Sequence, residues 1–173
     1  IPNLENINLN DIKNNLIFFK QKLYYYKFNL KLDSFKWYGT KACRMKNLIS
    51  PQWLRNIKDK KYPFWRIDTI FSKTKYHDIF FVENGGWHFS YMKTAKNIEK
   101  KLSSYLHHRE YDLDPLGKDK IQEMMNKKEP VYNLNADMKT SKFSGGQELI
   151  ISDIKELPIY IQKNANKYKE WLE

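Results

Sequence analysis

Apolar side chains recur along this chain with two spacings, and each spacing predicts an element. Ala95, Ile98, Leu102 and Tyr105 follow at intervals of three, four and three, which is one face of a helix, and Lys96, Lys100 and Ser103 fall on the other side. A second helix is predicted over 118–128, with Ile121, Met124 and Met125 as its buried stripe; methionines in such a stripe fill core. Ile161, Ala165, Tyr168 and Trp171 or Leu172 predict an amphipathic helix over 158–171. Ser50-Pro51 opens another, Ser50 as cap and Pro51 at the first helical position. Strands read differently. Asp78-Ile79-Phe80-Phe81-Val82 is a short apolar run, the pattern of a buried strand. Lys27-Phe28-Asn29-Leu30-Lys31-Leu32 alternates as a half-buried strand does, and 37–45 predicts another. The stretch 16–28 is dense in aromatics, 3–14 reads as a short helix or loop, and 135–147, with Ser144-Gly145-Gly146, as a loop.

Strands and helices in this mixture predict an α/β chain. No repeat, low-complexity stretch or Pro/Gly/Ser-rich linker divides it, and 173 residues suffice for a core. A single domain is the economical reading.

Composition changes this picture little. Aromatic residues make up 16% of the chain, most of them expected in the core, where Trp and Tyr supply large area with a polar handle. The formal net charge of +11 raises the question of nucleic acid. Only Arg44, Arg55, Arg66 and Arg109 among the 31 basic residues are arginine, the side chain that makes bidentate phosphate and base contacts. The lysines are spread from Lys13 to Lys169, so no nucleic-acid partner is expected. The lone Cys43 excludes an internal disulfide and is compatible with a reducing, cytoplasmic compartment. No stretch approaches the roughly 18 apolar residues of a membrane span, although a segment upstream of Ile1 could carry a signal or anchor.

The chemistry concentrates in Gly85-Gly86-Trp87-His88-Phe89-Ser90-Tyr91. A glycine pair ends the apolar run and delivers a large ring, an imidazole and a hydroxyl to one edge of a sheet, where α/β folds bind ligands. Zinc chemistry lacks its spacing: His77, His88, His107 and His108 form no His-Glu-x-x-His, and there is no Cys-x-x-Cys. Nucleophile-elbow and phosphate-loop motifs are absent as well.

Gly86 to Tyr91, followed by Ile98, Lys101, Ser104, His107 and Glu110, resembles the signature of glycosyltransferase family 17, which includes the mannosyl-glycoprotein N-acetylglucosaminyltransferases that add the bisecting sugar to N-glycans. Gln21-Lys22-Leu23-Tyr24-Tyr25-Tyr26 with Asn29, Trp37-Tyr38-Gly39-Thr40, and Leu157-Pro158-Ile159-Tyr160-Ile161 with Asn164 extend the likeness over nearly the whole chain. The resemblance implies the C-terminal portion of a nucleotide-sugar glycosyltransferase fold, with a mixed central sheet and flanking helices. It implies a UDP-sugar donor, N-acetylglucosamine as the transferred sugar, a glycan acceptor and a divalent metal, Mn or Mg. The family's acidic Asp-x-Asp-Glu-Ile-Pro stretch, which holds that metal, would end where this chain begins with Ile1-Pro2. The nucleotide-binding half is therefore expected upstream, and Asp112-Leu113-Asp114, in a loop after the helix, is a chance match.

Inverting transfer needs a base for the acceptor hydroxyl and positive charge or metal for the leaving diphosphate. Glu110 is the expected base. His88 is the expected second catalytic group, as metal ligand or partner of a diphosphate oxygen. Trp87, Ser90, Trp37, Lys101 and His107 are the expected substrate-binding residues. A noncatalytic basic module for nucleic acid or an anionic polysaccharide is the alternative from a different class.

Overall fold

The structure, a computed structural model, describes residues 16–104, 108–134 and 147–173. It is mixed α/β: an open sheet of both parallel and antiparallel strands, with flanking helices. Strands β1 (Leu16–Tyr25) and β2 (Leu30–Cys43) form a long hairpin at its centre. The four residues between them permit only an antiparallel return. Next to β1 lies β3 (Ile79–Val82), parallel to it, with Leu16 opposite Ile79 and Phe19 opposite Val82. Strand β4 (Trp87–Ser90) also pairs with β1. The glycine pair joins them without leaving β1: Gly85 N–H donates to Lys20 O at 2.7 Å and Lys22 N–H to Gly86 O at 3.0 Å. Strand β5 (Ile150–Ile151) closes the far side, antiparallel to β2.

Contacts sort the chain into two compact units. Of the described residues, the first comprises 16–22 and 36–88. Its core is Leu16, Phe18, Ile57 and Ile79, with Tyr38, Cys43, Trp53, Leu54, Tyr76 and Phe81 packed around it. Helix α1 (Pro51–Asn56) starts as expected, Trp53 N–H donating to Ser50 Oγ at 3.0 Å. A one-turn α2 (Ile67–Ile70) follows, which no periodicity predicted.

The second unit comprises 23–35 and 89–173. Helix α3 (Ala95–Ser103) buries Ala95, Ile98 and Leu102 as the spacing predicted, and packs on α5 (Gly117–Asn126), which buries Ile121 and Met124. Met125 is only partly covered. Between them α4 (His108–Leu113) takes in Asp112, so that residue belongs to a helix and not to the loop expected of it. At the far end α6 (Ile159–Lys163) stops after five residues, and a 3-10 segment, Ala165–Trp171, replaces the single long helix expected. Asn164 is the reason: its Nδ2 donates to Tyr160 O at 2.8 Å while its backbone leaves the helical region at φ −117°, ψ 25°. The following segment closes onto the hairpin turn. Phe28 N–H donates to Trp171 O, and the buried Asn29 side chain pairs with Glu173 O and N–H at 3.1 and 2.8 Å.

Candidate functional site

Three separated pieces of sequence meet in the first unit. Gln21 Nε2 on β1 donates to Thr40 Oγ1 on β2 at 3.1 Å, Lys22 holds the Gly86 carbonyl, and Trp37 of β2 stacks on His88 of β4. Their ring centroids are 4.5 Å apart with planes inclined by 24°, and both side chains are half-buried. An indole and an imidazole in offset contact gain about 0.5–1.5 kcal/mol beyond their burial.

Two glycines make this arrangement possible. At Gly85 a Cβ would lie 2.7 Å from Phe19 Cβ and 2.8 Å from Phe19 Cα, inside a paired strand. Glycine is required there so that the strand leading to Trp87 and His88 can lie against β1; Gly86 supplies the left-handed φ of 125°. At Gly39 a Cβ would stand 2.0 Å from Trp37 Nε1, so the indole lies over Gly39 in the space that a side chain would occupy. The role of Gly39 was not expected from sequence. Its signal, a small residue two positions after a Trp in a strand, points to the same sheet face.

Trp87, on β4 beside His88, is half-buried. A carboxylate stands near the glycine turn: Glu83 pairs with Lys20 at 2.5 Å, raising the lysine's pKa.

The remaining expected residues belong to the second unit. Ser90 ends β4, and its carbonyl accepts from Tyr26 N–H at 3.2 Å. Lys101 extends from α3 over the ring of Tyr91, 4.4 Å from its centroid, and Tyr91 in turn stacks on Tyr25 at 5.5 Å. This cation–π seat went unpredicted because Tyr91 takes φ 53°, a left-handed backbone that redirects its ring and is uncommon outside glycine. Desolvation lowers the Lys101 pKa, and the charge of Lys93 lowers it further. Glu110 lies in α4, but its side chain is outside the described residues, as is His107 altogether. Trp37 and His88 are thus brought together, as are Lys101 and the Tyr91 ring; His88 and Glu110 fall in different units.

Several residues that carry the resemblance serve the fold. Ile98 is fully buried, Ser104 Oγ donates to Lys100 O at the end of α3, and Asn29 and Asn164 hold backbone. Two surface hollows lie elsewhere, one lined by Tyr62, Phe64, Trp65, His77 and Asp78, the other by Tyr26, Lys93, Gln122 and Trp171. Neither includes an expected site residue.

Among the described residues no three His, Cys, Asp or Glu side chains converge as a metal site. The described set does not fit a divalent ion. Compared with known proteins, the chain matches no family model, no curated protein and no solved structure. Among the described residues no helix is long and apolar enough to cross a membrane.

Proposed function

We propose that this chain is the acceptor-side part of a nucleotide-sugar glycosyltransferase, which moves N-acetylglucosamine from a UDP donor to a glycan acceptor with inversion. The observation that supports the reading is the convergence around Trp37 and His88. Gln21-Lys22, Trp37 to Thr40 and Gly86 to His88, distant in sequence and each part of the resemblance, share one patch of the sheet. Its product is a half-buried aromatic patch. Indole faces pack on the apolar face of a pyranose, and the stacked imidazole holds the indole at a fixed tilt.

In the proposed reaction the acceptor oxygen forms a bond to the anomeric carbon as the bond from that carbon to the diphosphate breaks. The acceptor proton passes to the Glu110 carboxylate, and UDP leaves with the electron pair. Trp87 belongs to the sugar-binding patch beside His88, and Lys101, Ser90 and His107 are the proposed substrate contacts of the second unit. The divalent ion of the proposal would take its carboxylates from outside the described set.

Saturation-transfer NMR with an N-glycan oligosaccharide tests the sugar-binding surface. Wild-type protein is expected to saturate sugar ring protons, and Trp37→Ala to abolish this. Gly39→Ala is expected to do the same at a near-normal melting temperature, because its methyl displaces the indole and not the backbone. No saturation with the wild type, or equal saturation in all three proteins, rejects the reading. In the full-length enzyme, Glu110→Gln should lower turnover by about a hundredfold to ten-thousandfold, as loss of a general base does, with Glu99→Gln as the inert helix control.

A further inference from the structure

The first unit carries an apolar cluster that its own core does not use. Phe64, Trp65, Ile67, Ile70 and Phe71 are exposed by 77%, 70%, 72%, 74% and 84%. They come from one short stretch around α2, and Phe64 and Trp65 are locked edge to face, with centroids 5.3 Å apart. Scattered exposed apolar residues are ordinary, but five large ones within eight positions are not. Basic side chains surround them. Backbone pairing of 58–62 with 74–76 sets Lys58, Lys60 and Lys61 beside Lys73 and Lys75. Lys60, Arg66 and Lys75 converge on the ring of Tyr62, at 5.8, 5.5 and 5.8 Å from its centroid. Two of the region's three carboxylates are paired in this way, Asp68 with Arg66 and Lys75 at 2.8 and 2.7 Å and Asp59 with Lys41 at 2.7 Å; the third, Asp78, lines a hollow with Phe64 and Trp65.

We propose that this cluster is a docking surface for an anionic lipid bilayer, with Phe64, Trp65, Ile67, Ile70 and Phe71 entering the headgroup boundary while Lys58, Lys60, Lys61 and Lys73 meet lipid phosphates. The combination of protruding aromatic and aliphatic side chains with a cationic rim is the chemistry of an interface that is apolar below and negative above. A two-fold pair of identical chains would oppose this rim to itself, like charge against like. The ion triad of Arg66, Asp68 and Lys75 holds the stretch in shape beforehand, so less order has to be gained on docking. This inference is independent of the sugar chemistry proposed above.

Co-sedimentation of the full chain with vesicles of phosphatidylcholine, alone or mixed with phosphatidylserine, reads the docking directly. Partition onto the mixed vesicles and release by added salt are expected. Lys60→Gln with Lys61→Gln should weaken partition about thirtyfold, the effect of removing two surface cations at roughly tenfold per 1.4 kcal/mol. Phe64→Ala with Trp65→Ala should weaken it by about tenfold, while circular dichroism and melting stay unchanged because both side chains are exposed. Brominated lipid should quench tryptophan emission in the wild type and lose most of that effect in Trp65→Phe. The proposal is overturned by absence of binding to mixed vesicles, by equal binding of the variants, or by quenching that survives Trp65→Phe. It is equally overturned if light scattering finds a dimer that Phe64→Ala with Trp65→Ala converts to monomer, which would assign the surface to a second copy.

Discussion

Tyr24 and Tyr25 end β1 and Tyr26 opens the turn after it, all three buried, yet their hydroxyls are placed unequally. Tyr26 donates to Glu129 O at 2.9 Å, a bond that also anchors a residue held at φ 61°. Among the described residues the Tyr24 hydroxyl has no partner in good hydrogen-bonding geometry; the nearby Ser152 hydroxyl, also buried, is likewise unmatched there. Burial pushes the phenol pKa up at all three, so each stays neutral. A buried hydrogen bond contributes about 1 kcal/mol net, and an unmatched buried hydroxyl is a cost. Tyr26→Phe should therefore destabilise by about 1–2 kcal/mol, while Tyr24→Phe should stay within about 0.5 kcal/mol of wild type or stabilise. Urea denaturation decides it, and equal losses would mean that Tyr24 has a partner of similar worth.

Helix α1 has six residues, too few to stand alone, and is fixed at both ends by side chains from outside it. Ser50 serves its start. At its end Lys41 crosses from β2, its Nζ donating to Arg55 O and Ile57 O at 3.2 and 2.5 Å, pairing with Asp59 and lying 4.6 Å above the Phe18 ring. Lys41→Met keeps the stem but strips two carbonyls and a carboxylate of their donor. A loss of about 2–3 kcal/mol in thermal or urea unfolding is expected; a loss below about 0.5 kcal/mol would show that water serves as well. The Ser50-Pro51 start was legible because capping is local, whereas Lys41 was not, since nothing in sequence joins positions 41 and 57. The same contrast runs through the fold. The apolar stripes of α3 and α5 could be read directly, and β3 as a strand, though not as the buried one expected, since Phe80 is exposed on it. β2 was expected as two strands, because Asp33-Ser34 interrupts the alternation; pairing with β1 carries it through as one, with Lys31 Nζ taking up Asp33 at 3.2 Å. At the candidate site the residue types were legible, but that Trp87–Ser90 form a strand of their own beyond the glycine turn was not. Nor was the Trp37–His88 stack, because it depends on β2 and β4 both pairing with β1.

Across the whole molecule, the 31 basic side chains exceed the 20 acidic ones at neutral pH. Acid removes the minority sign. Asp68 is held down to about 2, first by hydrogen bonds from Arg66 and then by those from Lys75, and Glu123 is lowered by Lys127 and Lys120. A carboxylate depressed in the folded state stabilises fully above its ordinary pKa, about 4, and loses that contribution as pH falls through its folded value. These pairs are exposed and screened, so each matters little; self-repulsion among the basic groups, once the carboxylates are neutralised, is the larger drive. Stability is expected to be level from neutral pH to about 5, to fall between about 4 and 2, and to recover partly with added salt. Melting followed by circular dichroism checks this, and a rise on acidification would contradict it.

The backbone contact at Gly85 has a consequence for inheritance. A methyl at this position meets the Cα and Cβ of Phe19, which is fixed opposite Val82, so no rotamer change elsewhere can absorb it. At Gly39 the obstacle is a ring that can swing aside, and at Gly117, with φ 72° and open space, asparagine can substitute. A lineage can thus lose the Trp37 platform by one codon change at position 39 and keep a folded chain, whereas position 85 admits no drift, so folding alone constrains the glycine while function must be selected at its neighbours.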